Sequence, residues 1–531
     1  MVSLFAKTNT KRSMMARERT ALPESDPSAP QAHGSLSHRA RRAAMWTGGS
    51  AILMRLSNVL VMAVVARIIA PDELGVYALA ITVHGFVVCL ASWGVTSAIA
   101  RADLDADKLG PTVTTVALLS SGMVAGLMAI TAGPVASAFH APEAAGPIRI
   151  LAIAVVLQAV FAVPASQLQR EFRQEVMFRA SAVSFVTSSA SLLLLATMMH
   201  GAEAFAWSRV VGTLTVGVVI VRALHSLYRP GWNVAFIGPL LRFGMPAALG
   251  SLLSQLVLNV DYVIIGREMS TTDLGLYMLA FNICSWPTAA LGAVMDQVVL
   301  PAFSGVRRAG GDLRSTVSRA VRTVALIACP IAAFTMAFSH PLIEAVYGAR
   351  WLSAAPLLRV LAVYGVLYVI GMLFSNIMIA SGRTLAMLAV QAAALIALVP
   401  ALIVGVRTGG LVGVGIGHIV VVLLVTMPAY AVAMKFTAGA GFLDMVRALS
   451  RPVVAAAAAA GAALAVTAGS SHPVITLAMG GVVGLTVYMA VAGPELLRLL
   501  PARLADKRIL VLFTTWPVLS VRRLRRVGSR D

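Results

Sequence analysis

The sequence predicts an all-α integral membrane protein of about fourteen transmembrane helices, arranged as two six-helix lobes in parallel repeat plus an extra C-terminal helix pair. Three observations support this prediction. Of the 531 residues, 59% are hydrophobic and only 12% are charged, which is about half the charged fraction of a typical soluble protein. The charges avoid apolar runs of about 20 residues, the length that a helix needs to cross a bilayer. Matching residues also recur at a shift of 200 positions.

Fourteen apolar runs are predicted to span the membrane. The regular alternation of apolar and polar residues that marks a membrane β-barrel is missing, so helices must satisfy the backbone hydrogen bonds in lipid. The runs lie at 44–69, 74–99, 111–132, 148–168, 178–199, 204–223, 240–266, 274–300, 322–346, 355–380, 384–405, 411–434, 452–469 and 473–492.

These runs divide the chain into five segments. Residues 1–43 are rich in Ser, Pro, Ala and Arg and lack an apolar core, so they are predicted to form a disordered basic cytoplasmic tail without a cleavable signal peptide. The N-lobe covers 44–223, the C-lobe covers 240–434, and the extra helix pair covers 452–492. Residues 493–531 form a second basic cytoplasmic tail, whose apolar residues could place it on the membrane surface.

The net charge of +20 follows the expected topology. Of the 42 Lys and Arg residues, 34 lie in the two tails and in the loops on the same side of the membrane as the tails. Because Lys and Arg are enriched in cytoplasmic segments, this asymmetry predicts a multi-pass protein of the cell (inner) membrane with both termini in the cytoplasm. The basic excess is therefore attributed to topology and to attraction for membrane lipids, and nucleic acid is not expected as a partner.

The repeat is clearest where spans two and eight begin. PDELGVYALA at 71–80 recurs as TTDLGLYMLA at 271–280, and the same shift maps spans one to six onto spans seven to twelve. Each copy holds an even number of spans, so both copies enter the membrane from the same side, as in a parallel repeat about an axis along the membrane normal. Two such lobes leave a central cleft that can open to either side, which is typical of a transporter.

The repeated segments also resemble a known family. ARIIAPDELGVYALA at 66–80, WGVTSAIAR at 93–101 and NVDYVIIGREMSTTDLGLYMLA at 259–280 are similar to the polysaccharide-transporter (Wzx-like flippase) branch of the multidrug/oligosaccharidyl-lipid/polysaccharide (MOP) exporter superfamily. The resemblance covers residues 44–434. It implies a flippase that moves an undecaprenyl-pyrophosphate-linked oligosaccharide across the cytoplasmic membrane by alternating access, for exopolysaccharide, capsule or O-antigen biosynthesis. It also implies a periplasmic polymerase and glycosyltransferases as partners.

Polar residues inside the apolar spans are the candidate substrate-binding residues. Arg55 lies near the middle of span one, where a charge costs about 2.5 to 3.5 kcal/mol on insertion scales, so it is expected to face either the cleft or the carbonyls of a neighbouring helix. Asn58 follows on the same helical face. In span seven, Gln255 occupies the position equivalent to Arg55, and Asn259 follows it. A lipid-linked sugar requires cations for its pyrophosphate and hydrogen-bonding groups for its hydroxyls.

Span eight adds Asn282 and Trp286, whose indole could stack on a sugar ring. A structural interpretation stays open for each, because amides also bond neighbouring helices and the indole could pack at a proline kink. Asp261 is predicted either to couple transport to a cation or to pair with Arg55 as a static strut between the lobes.

Two further groups have a structural and a functional interpretation. His84 is predicted to be the one histidine deep in the membrane, either as a proton relay or as a hydrogen-bonded structural residue. Arg209 and Arg359 lie near the outer ends of their spans, so both are expected to extend their charged ends toward the membrane surface.

Three alternative functions stay open. These are a lipid II (peptidoglycan precursor) flippase, a multidrug exporter of the same superfamily with an acidic and aromatic cavity, and a non-transporting assembly scaffold. An enzyme is not expected, because the sequence has no Walker phosphate loop, GxSxG or HExxH motif, or paired-Cys metal spacing. No cofactor or metal is therefore predicted.

Overall fold

The computed structural model describes residues 57–91, 106–171, 173–199, 201–224 and 229–499. These residues are almost entirely helical and contain no β-strand. The N-lobe helices are α1 (Ser57–Ile68), α2 (Pro71–Ala91), α3 (Ala106–Ala138), α4 (Ala145–Arg170), α5 (Gln174–Leu195) and α6 (Gly201–Leu224). The C-lobe and the extra pair contain α7 (Val234–Glu268), α8 (Thr271–Arg308), α9 (Leu313–Ala337), α10 (Ala355–Ala380), α11 (Thr384–Val421), α12 (Phe442–Thr467) and α13 (Pro473–Leu499).

Shorter segments connect or extend these helices. Pro142–Ala144 and Ala349–Ala354 form 3₁₀ turns, and Ser339–Val346 is a short helix after α9. The last C-lobe span continues beyond α11 through a π-helical turn at Val422–Thr426 and a final helix at Met427–Ala438. Of the predicted tails, 1–43 and 500–531 lie outside the described residues, and α13 extends into the predicted tail as far as Leu499.

The prediction of an all-α membrane protein is confirmed. Among the described residues, eleven helices are long and apolar enough to cross a membrane. The number differs from fourteen partly because only Ser57–Ile68 of span one is described, which is too short to be counted, and because the helix of span eight, Thr271–Arg308, is not among the eleven. In addition, spans eleven and twelve form one helical stretch of 55 residues, Thr384–Ala438.

That stretch folds back on itself at Gly410, where φ is 56° and ψ is −140°. A positive φ is unfavourable for residues with a Cβ atom. Gly405 lies against Gly413, and Ala401 lies against Gly417, so the two arms run antiparallel around the break. A Cβ on Gly405 or Gly413 would overlap the opposite backbone. The chain therefore crosses the membrane twice here, as the separation of spans eleven and twelve predicts.

Several helix ends have clear causes in the sequence. α8 begins with a capping box, in which the Ser270 hydroxyl accepts a hydrogen bond from the Asp273 N–H and the Asp273 carboxylate accepts one from the Ser270 N–H. The Asp312 side chain caps α9 by accepting hydrogen bonds from the N–H groups of Arg314 and Ser315. Gly439 ends the C-lobe with a left-handed backbone conformation.

The helix ends collect on two opposite sides of the molecule. On one side, Arg67 in the last turn of α1 donates a hydrogen bond of 2.9 Å to the Ala345 carbonyl in the short helix Ser339–Val346. On the other side, Arg314 of α9 donates two hydrogen bonds of 2.9 and 2.8 Å to the Asp444 carboxylate of α12. We call the first side the outer side and the second the inner side, following the predicted topology. The orientation in the cell stays a prediction.

The repeated segments contact each other where the two lobes meet. Gly75 of α2 lies against the carbonyl of Thr271, and Gly275 of α8 lies against the carbonyl of Pro71. Residues 71 and 75 are equivalent to residues 271 and 275 at the shift of 200. The contact is therefore symmetric, because each lobe contributes one glycine and one carbonyl at equivalent positions. A Cβ on either glycine would overlap the opposite carbonyl. The segments therefore share Gly because two helices must approach closely at the outer end of the lobe interface.

The extra helix pair packs on the outside of the C-lobe. Helix α12 packs against α9, and α13 packs against α12. Tyr488 of α13 donates a hydrogen bond of 2.6 Å to the Leu326 carbonyl of α9. Gly480 of α13 lies directly against the Phe338 ring at the end of α9. The pair is therefore attached to one side of the C-lobe.

Candidate functional site

A cavity of about 1070 Å³ opens mainly within the N-lobe and extends to α7 and α8 of the C-lobe. Most of its polar lining consists of hydroxyl and amide side chains. These polar residues are Asn58, Ser121, Gln158, Ser166, Gln169, Ser184, Ser188, Ser189, Ser208, Thr213, Ser251 and Asn282. Such groups can both donate and accept hydrogen bonds, so the lining suits a ligand with many hydroxyl groups.

Three of the predicted substrate-binding residues line this cavity. Asn58 reaches it from α1, whereas Asn282 and Trp286 reach it from one face of α8. The Asn282 amide also donates a hydrogen bond of 2.8 Å to the Met278 carbonyl of its own helix. Arg55 lies outside the described residues. Contact of these side chains with a substrate stays a prediction.

Gln255, Asn259 and Asp261 of α7 do not belong to the cavity lining. The Gln255 amide lies against Gly85 of α2, so it occupies the interface between the lobes. The Asn259 side chain donates a hydrogen bond of 2.9 Å to the Gln255 carbonyl one turn earlier. Gln255 and Asn259 share one face of α7, but in this conformation Gln255 packs against α2, and Asp261, on another face, is buried.

Arg209 of α6 is the one cationic residue among the described residues that line the cavity. The same lining contains no Asp or Glu. Sequence analysis expected Arg209 to extend toward the membrane surface, and the structure adds that the residue belongs to the cavity wall. Its neighbours Ser208, Gly212 and Thr213 line the same cavity, and these small polar residues on one helical face were the available signal.

Helices α5 and α6 hold the wall around Arg209 together. Ser184 of α5 donates a hydrogen bond of 2.8 Å to the Gly212 carbonyl of α6. One turn further along, the Thr187 and Thr215 hydroxyls lie 3.0 Å apart. Hydroxyl groups thus serve both as links between helices and as the lining. Arg359, in contrast, donates a hydrogen bond of 2.9 Å to the Ser339 hydroxyl at the outer side.

A second polar site is buried inside the C-lobe. The Tyr277 hydroxyl of α8 donates a hydrogen bond of 2.5 Å to Oδ2 of Asp261. Nε2 of His418, in the second arm of α11, lies 3.3 Å from the Tyr277 hydroxyl and 3.8 Å from Oδ2 of Asp261. Oδ1 of Asp261 accepts a hydrogen bond of 2.9 Å from the Tyr262 N–H. We call Asp261, Tyr277 and His418 the C-lobe cluster.

The C-lobe cluster is closed to solvent. The exposed fractions are 3% for Asp261, 0% for Tyr277 and 5% for His418. The Tyr364 ring packs against the His418 ring at a centroid distance of 4.8 Å. His84 is not the one deeply buried histidine that the sequence predicted, because His418 is buried to the same degree. Sequence analysis missed Tyr277 and His418 because they come from different helices.

Comparison with known proteins identifies the family. Residues 64–356, more than half of the chain, match a family model described as "polysaccharide biosynthesis protein". The chain belongs to the polysaccharide biosynthesis protein family. One relative of the chain is the lipopolysaccharide biosynthesis protein WzxC of Escherichia coli K12. The two are 24% identical over 430 residues, which cover 79% of this chain and 85% of WzxC.

Solved structures share the fold of this polysaccharide biosynthesis protein. The lipid II flippase MurJ in an inward closed conformation has a TM-score of 0.70 at 14% identity, and the match covers 84% of this chain and 98% of MurJ. An inward-facing multidrug resistance MATE family transporter of the MOP superfamily has a TM-score of 0.51 at 20% identity, with coverage of 72% and 99%. The family match confirms the expected resemblance to polysaccharide biosynthesis proteins, and the solved structures show a fold shared with MurJ and with a transporter of the MOP superfamily.

The two lobes of this polysaccharide biosynthesis protein are joined at the outer side. Trp351 donates a hydrogen bond of 2.8 Å from its indole nitrogen to the Ala66 carbonyl at the end of α1. The contact of Gly75 with Gly275 and the hydrogen bond of Arg67 lie on the same side. In the other direction, the cavity lining reaches Gln169 at the inner end of α4. This conformation is therefore sealed at the outer side.

Proposed function

We propose that this protein is a flippase that moves an undecaprenyl-pyrophosphate-linked oligosaccharide from the inner to the outer leaflet of the cytoplasmic membrane. The observation that carries the proposal is the cavity: the polar part of its lining consists of hydroxyl and amide groups together with Arg209, and no acidic residue belongs to its described lining. It occurs in a member of a polysaccharide biosynthesis family. WzxC, a relative over most of the chain, is named for lipopolysaccharide biosynthesis.

The cavity chemistry matches the three parts of such a substrate. Ser184, Ser188 and Asn282 offer hydrogen bonds to sugar hydroxyls, and Trp286 offers an apolar ring face on which a sugar can stack. Arg209 offers charged hydrogen bonds to a phosphate, to which Arg55 in the undescribed part of span one would add. The volume of about 1070 Å³ is slightly above the range of ordinary ligand pockets, about 300–1,000 Å³. A head group of more than one sugar would therefore fit.

Alternating access supplies the mechanism of transport. In the conformation sealed at the outer side, the head group enters from the inner leaflet while the polyprenyl chain stays in lipid. Separation of Gly75 from Gly275 would open the outer end, and approach of the lobes at the inner end would close the entrance. A periplasmic polymerase that consumes the product would keep its concentration low in the outer leaflet. Both termini would lie in the cytoplasm.

The cavity also bears on the alternative functions. A multidrug exporter for cationic compounds requires acidic groups in its cavity, and the described lining contains Arg209 without Asp or Glu. A lipid II flippase would share a cationic cavity. The family match favours the polysaccharide substrate, because similarity to MurJ at 14% identity concerns the fold alone.

A deletion strain tests the proposed function. We expect lipid-linked repeat units to accumulate on the inner leaflet while peptidoglycan synthesis continues, and purified protein in proteoliposomes to flip a fluorescent pyrophosphate-linked oligosaccharide. Loss of peptidoglycan synthesis would identify a lipid II flippase, and increased drug sensitivity without accumulation would identify an exporter. Accumulation in cells combined with no flipping by the purified protein would indicate a scaffold.

A further inference from the structure

The cavity extends inward from Arg209 along α6. Helix α6 begins at the outer side, where the Gly201 N–H donates a hydrogen bond of 2.8 Å to the Glu73 carboxylate of α2. Cavity-lining residues follow along α6 as far as Ile220. Gly217 comes eight residues after Arg209, which places it about 12 Å further inward at a rise of 1.5 Å per residue. The cavity wall therefore has a second region that is well separated from its cation.

Helices α4 and α5 form the walls of this second region, and α6 lies between them. Both helices pack along α6, but they make few contacts with each other. Side chains of α4 and α5 line the cavity on either side of α6, so the space between these two helices is part of the cavity. We call this region the N-lobe groove, and its residues are Gln158, Phe161, Ser184, Ser188, Ser189 and Gly217.

We propose that the N-lobe groove binds a neutral sugar of the head group that is separated from the pyrophosphate by at least one other sugar. The proposal rests on the proposed function, in which Arg209 binds the phosphate, because a distance of about 12 Å along α6 exceeds the length of one sugar ring. A head group must then contain more than one sugar to reach both sites. The groove thereby selects long head groups over short ones.

The Phe161 ring provides the surface on which this sugar stacks. It lies directly against Gly217, where a Cβ would overlap the ring atoms. Phe161 is only half-buried and lines the cavity, so the α6 backbone supports the ring while part of it stays accessible to a ligand. Ligand pockets combine such aromatic surface with a few placed polar groups. A sugar ring suits both, because it presents C–H groups as well as hydroxyls.

The polar groups around the ring have unused hydrogen-bonding capacity. Gln158 lies one helical turn before Phe161 on α4, and neither its amide nor the Ser189 hydroxyl has a hydrogen-bond partner among the described residues. The Ser184 and Ser188 hydroxyls donate hydrogen bonds to backbone carbonyls of α6 and α5, which leaves their lone pairs able to accept. The groove therefore offers both donors and acceptors to sugar hydroxyls.

The charge of the lining favours a neutral sugar over an acidic one. Arg209 is the one charged residue of the described lining. Its distance along α6 of about 12 Å exceeds the Debye length of about 8 Å at physiological ionic strength, so its attraction is largely screened in the N-lobe groove. A sugar carboxylate would lose hydration there without gaining a cation, which is unfavourable.

Binding of two lipids tests the N-lobe groove. The full-length protein in nanodiscs is titrated with undecaprenyl pyrophosphate that carries either a linear trisaccharide of glucose or a single glucose. We expect the wild type to bind the trisaccharide lipid about tenfold more tightly, which corresponds to about 1.4 kcal/mol. Phe161→Leu should remove this preference by weakening binding of the trisaccharide lipid alone, and Gln158→Leu should reduce it.

Matched variants separate the groove from general effects on folding. Phe334→Leu removes a ring that packs on Phe338 outside the cavity lining, and it should keep the preference for the trisaccharide lipid. Gly217→Ala should abolish the preference, because the added Cβ displaces the Phe161 ring. Gly126→Ala is its control and should keep the preference, because a Cβ there has no neighbour within 4 Å.

A third lipid tests the charge argument. It carries glucuronate in place of both outer glucose residues, and we expect the wild type to bind it about tenfold more weakly than the all-glucose trisaccharide lipid. Equal or tighter binding of the glucuronate lipid would overturn the assignment of a neutral sugar. Equal affinities of the wild type for one and for three glucose residues, or an unchanged preference in both Phe161→Leu and Gly217→Ala, would overturn the groove as a sugar site.

Flipping of the same lipids in proteoliposomes distinguishes this proposal from the proposed function. A binding preference in a protein that flips neither lipid would reject the flippase while retaining the sugar site. Flipping of both lipids without a binding preference would reject the sugar site alone.

Discussion

Replacement of Arg209 tests directly whether the cavity recognises a phosphate. Arg209→Gln keeps a side chain that forms hydrogen bonds but removes the only cation among the described residues of the lining. A hydrogen bond to a charged group contributes about 1.5–3 kcal/mol, and about 1.4 kcal/mol corresponds to a tenfold change in affinity. Because Arg209 is exposed and lines the cavity, solvent screening favours the lower limit. We expect affinity for the pyrophosphate-linked lipid to fall about tenfold.

The assay compares two lipids in the same proteoliposomes, one with a pyrophosphate-linked oligosaccharide and one with the same oligosaccharide on a neutral linker. Arg209→Gln should reduce binding and initial flipping rate for the charged lipid only, and Arg209→Lys should recover part of the loss. Arg359→Gln is the matched control, because Arg359 also lies in an apolar span but bonds Ser339 outside the cavity lining. Equal losses for both lipids, or no loss for the charged lipid, would refute phosphate recognition by Arg209.

Three further predictions concern the lobe contact, the cavity and the extra helix pair. Gly275→Ala should weaken the state sealed at the outer side by about 1–3 kcal/mol, because the added Cβ would overlap the Pro71 carbonyl. Gly305→Ala on the same helix is the control, because a Cβ there has no neighbour within 4 Å. Cross-linking across the lobes should decrease in Gly275→Ala and match the wild type in Gly305→Ala. In a variant with the other two cysteines replaced by Ala, Cys89 in the cavity wall should react with a charged maleimide. Added pyrophosphate-linked oligosaccharide should slow this reaction. An unchanged labelling rate would mean that the substrate binds elsewhere. Tyr488→Phe should lower thermal stability by about 1 kcal/mol through loss of the hydrogen bond to α9 without altering flipping, and a transport defect would mean that the extra pair takes part in lobe movement.

Some of the residues that the sequence singled out line the cavity and others do not, for a physical reason. Polar residues in an apolar helix must avoid lipid, so Asn58, Asn282 and Trp286 were recognisable as inward-facing groups, and the structure places them in the cavity lining. The same rule cannot distinguish a cavity from an interface between helices. Gln255 therefore looked like a cavity residue although it packs against Gly85 of the other lobe.

The membrane fold and the repeat were determined by the sequence itself. Hydropathy, loop charge and the recurrence of PDELGVYALA as TTDLGLYMLA are local properties, and each can be recognised without knowing which helices are neighbours. Only the tertiary structure decided what the repeated glycines do and which polar groups meet. Asp261 and His418 lie more than 150 positions apart, and their approach depends on how α7, α8 and the second arm of α11 pack. Helical periodicity defines the faces of one helix, whereas packing between helices decides whether a face meets lipid, a neighbouring helix or the cavity.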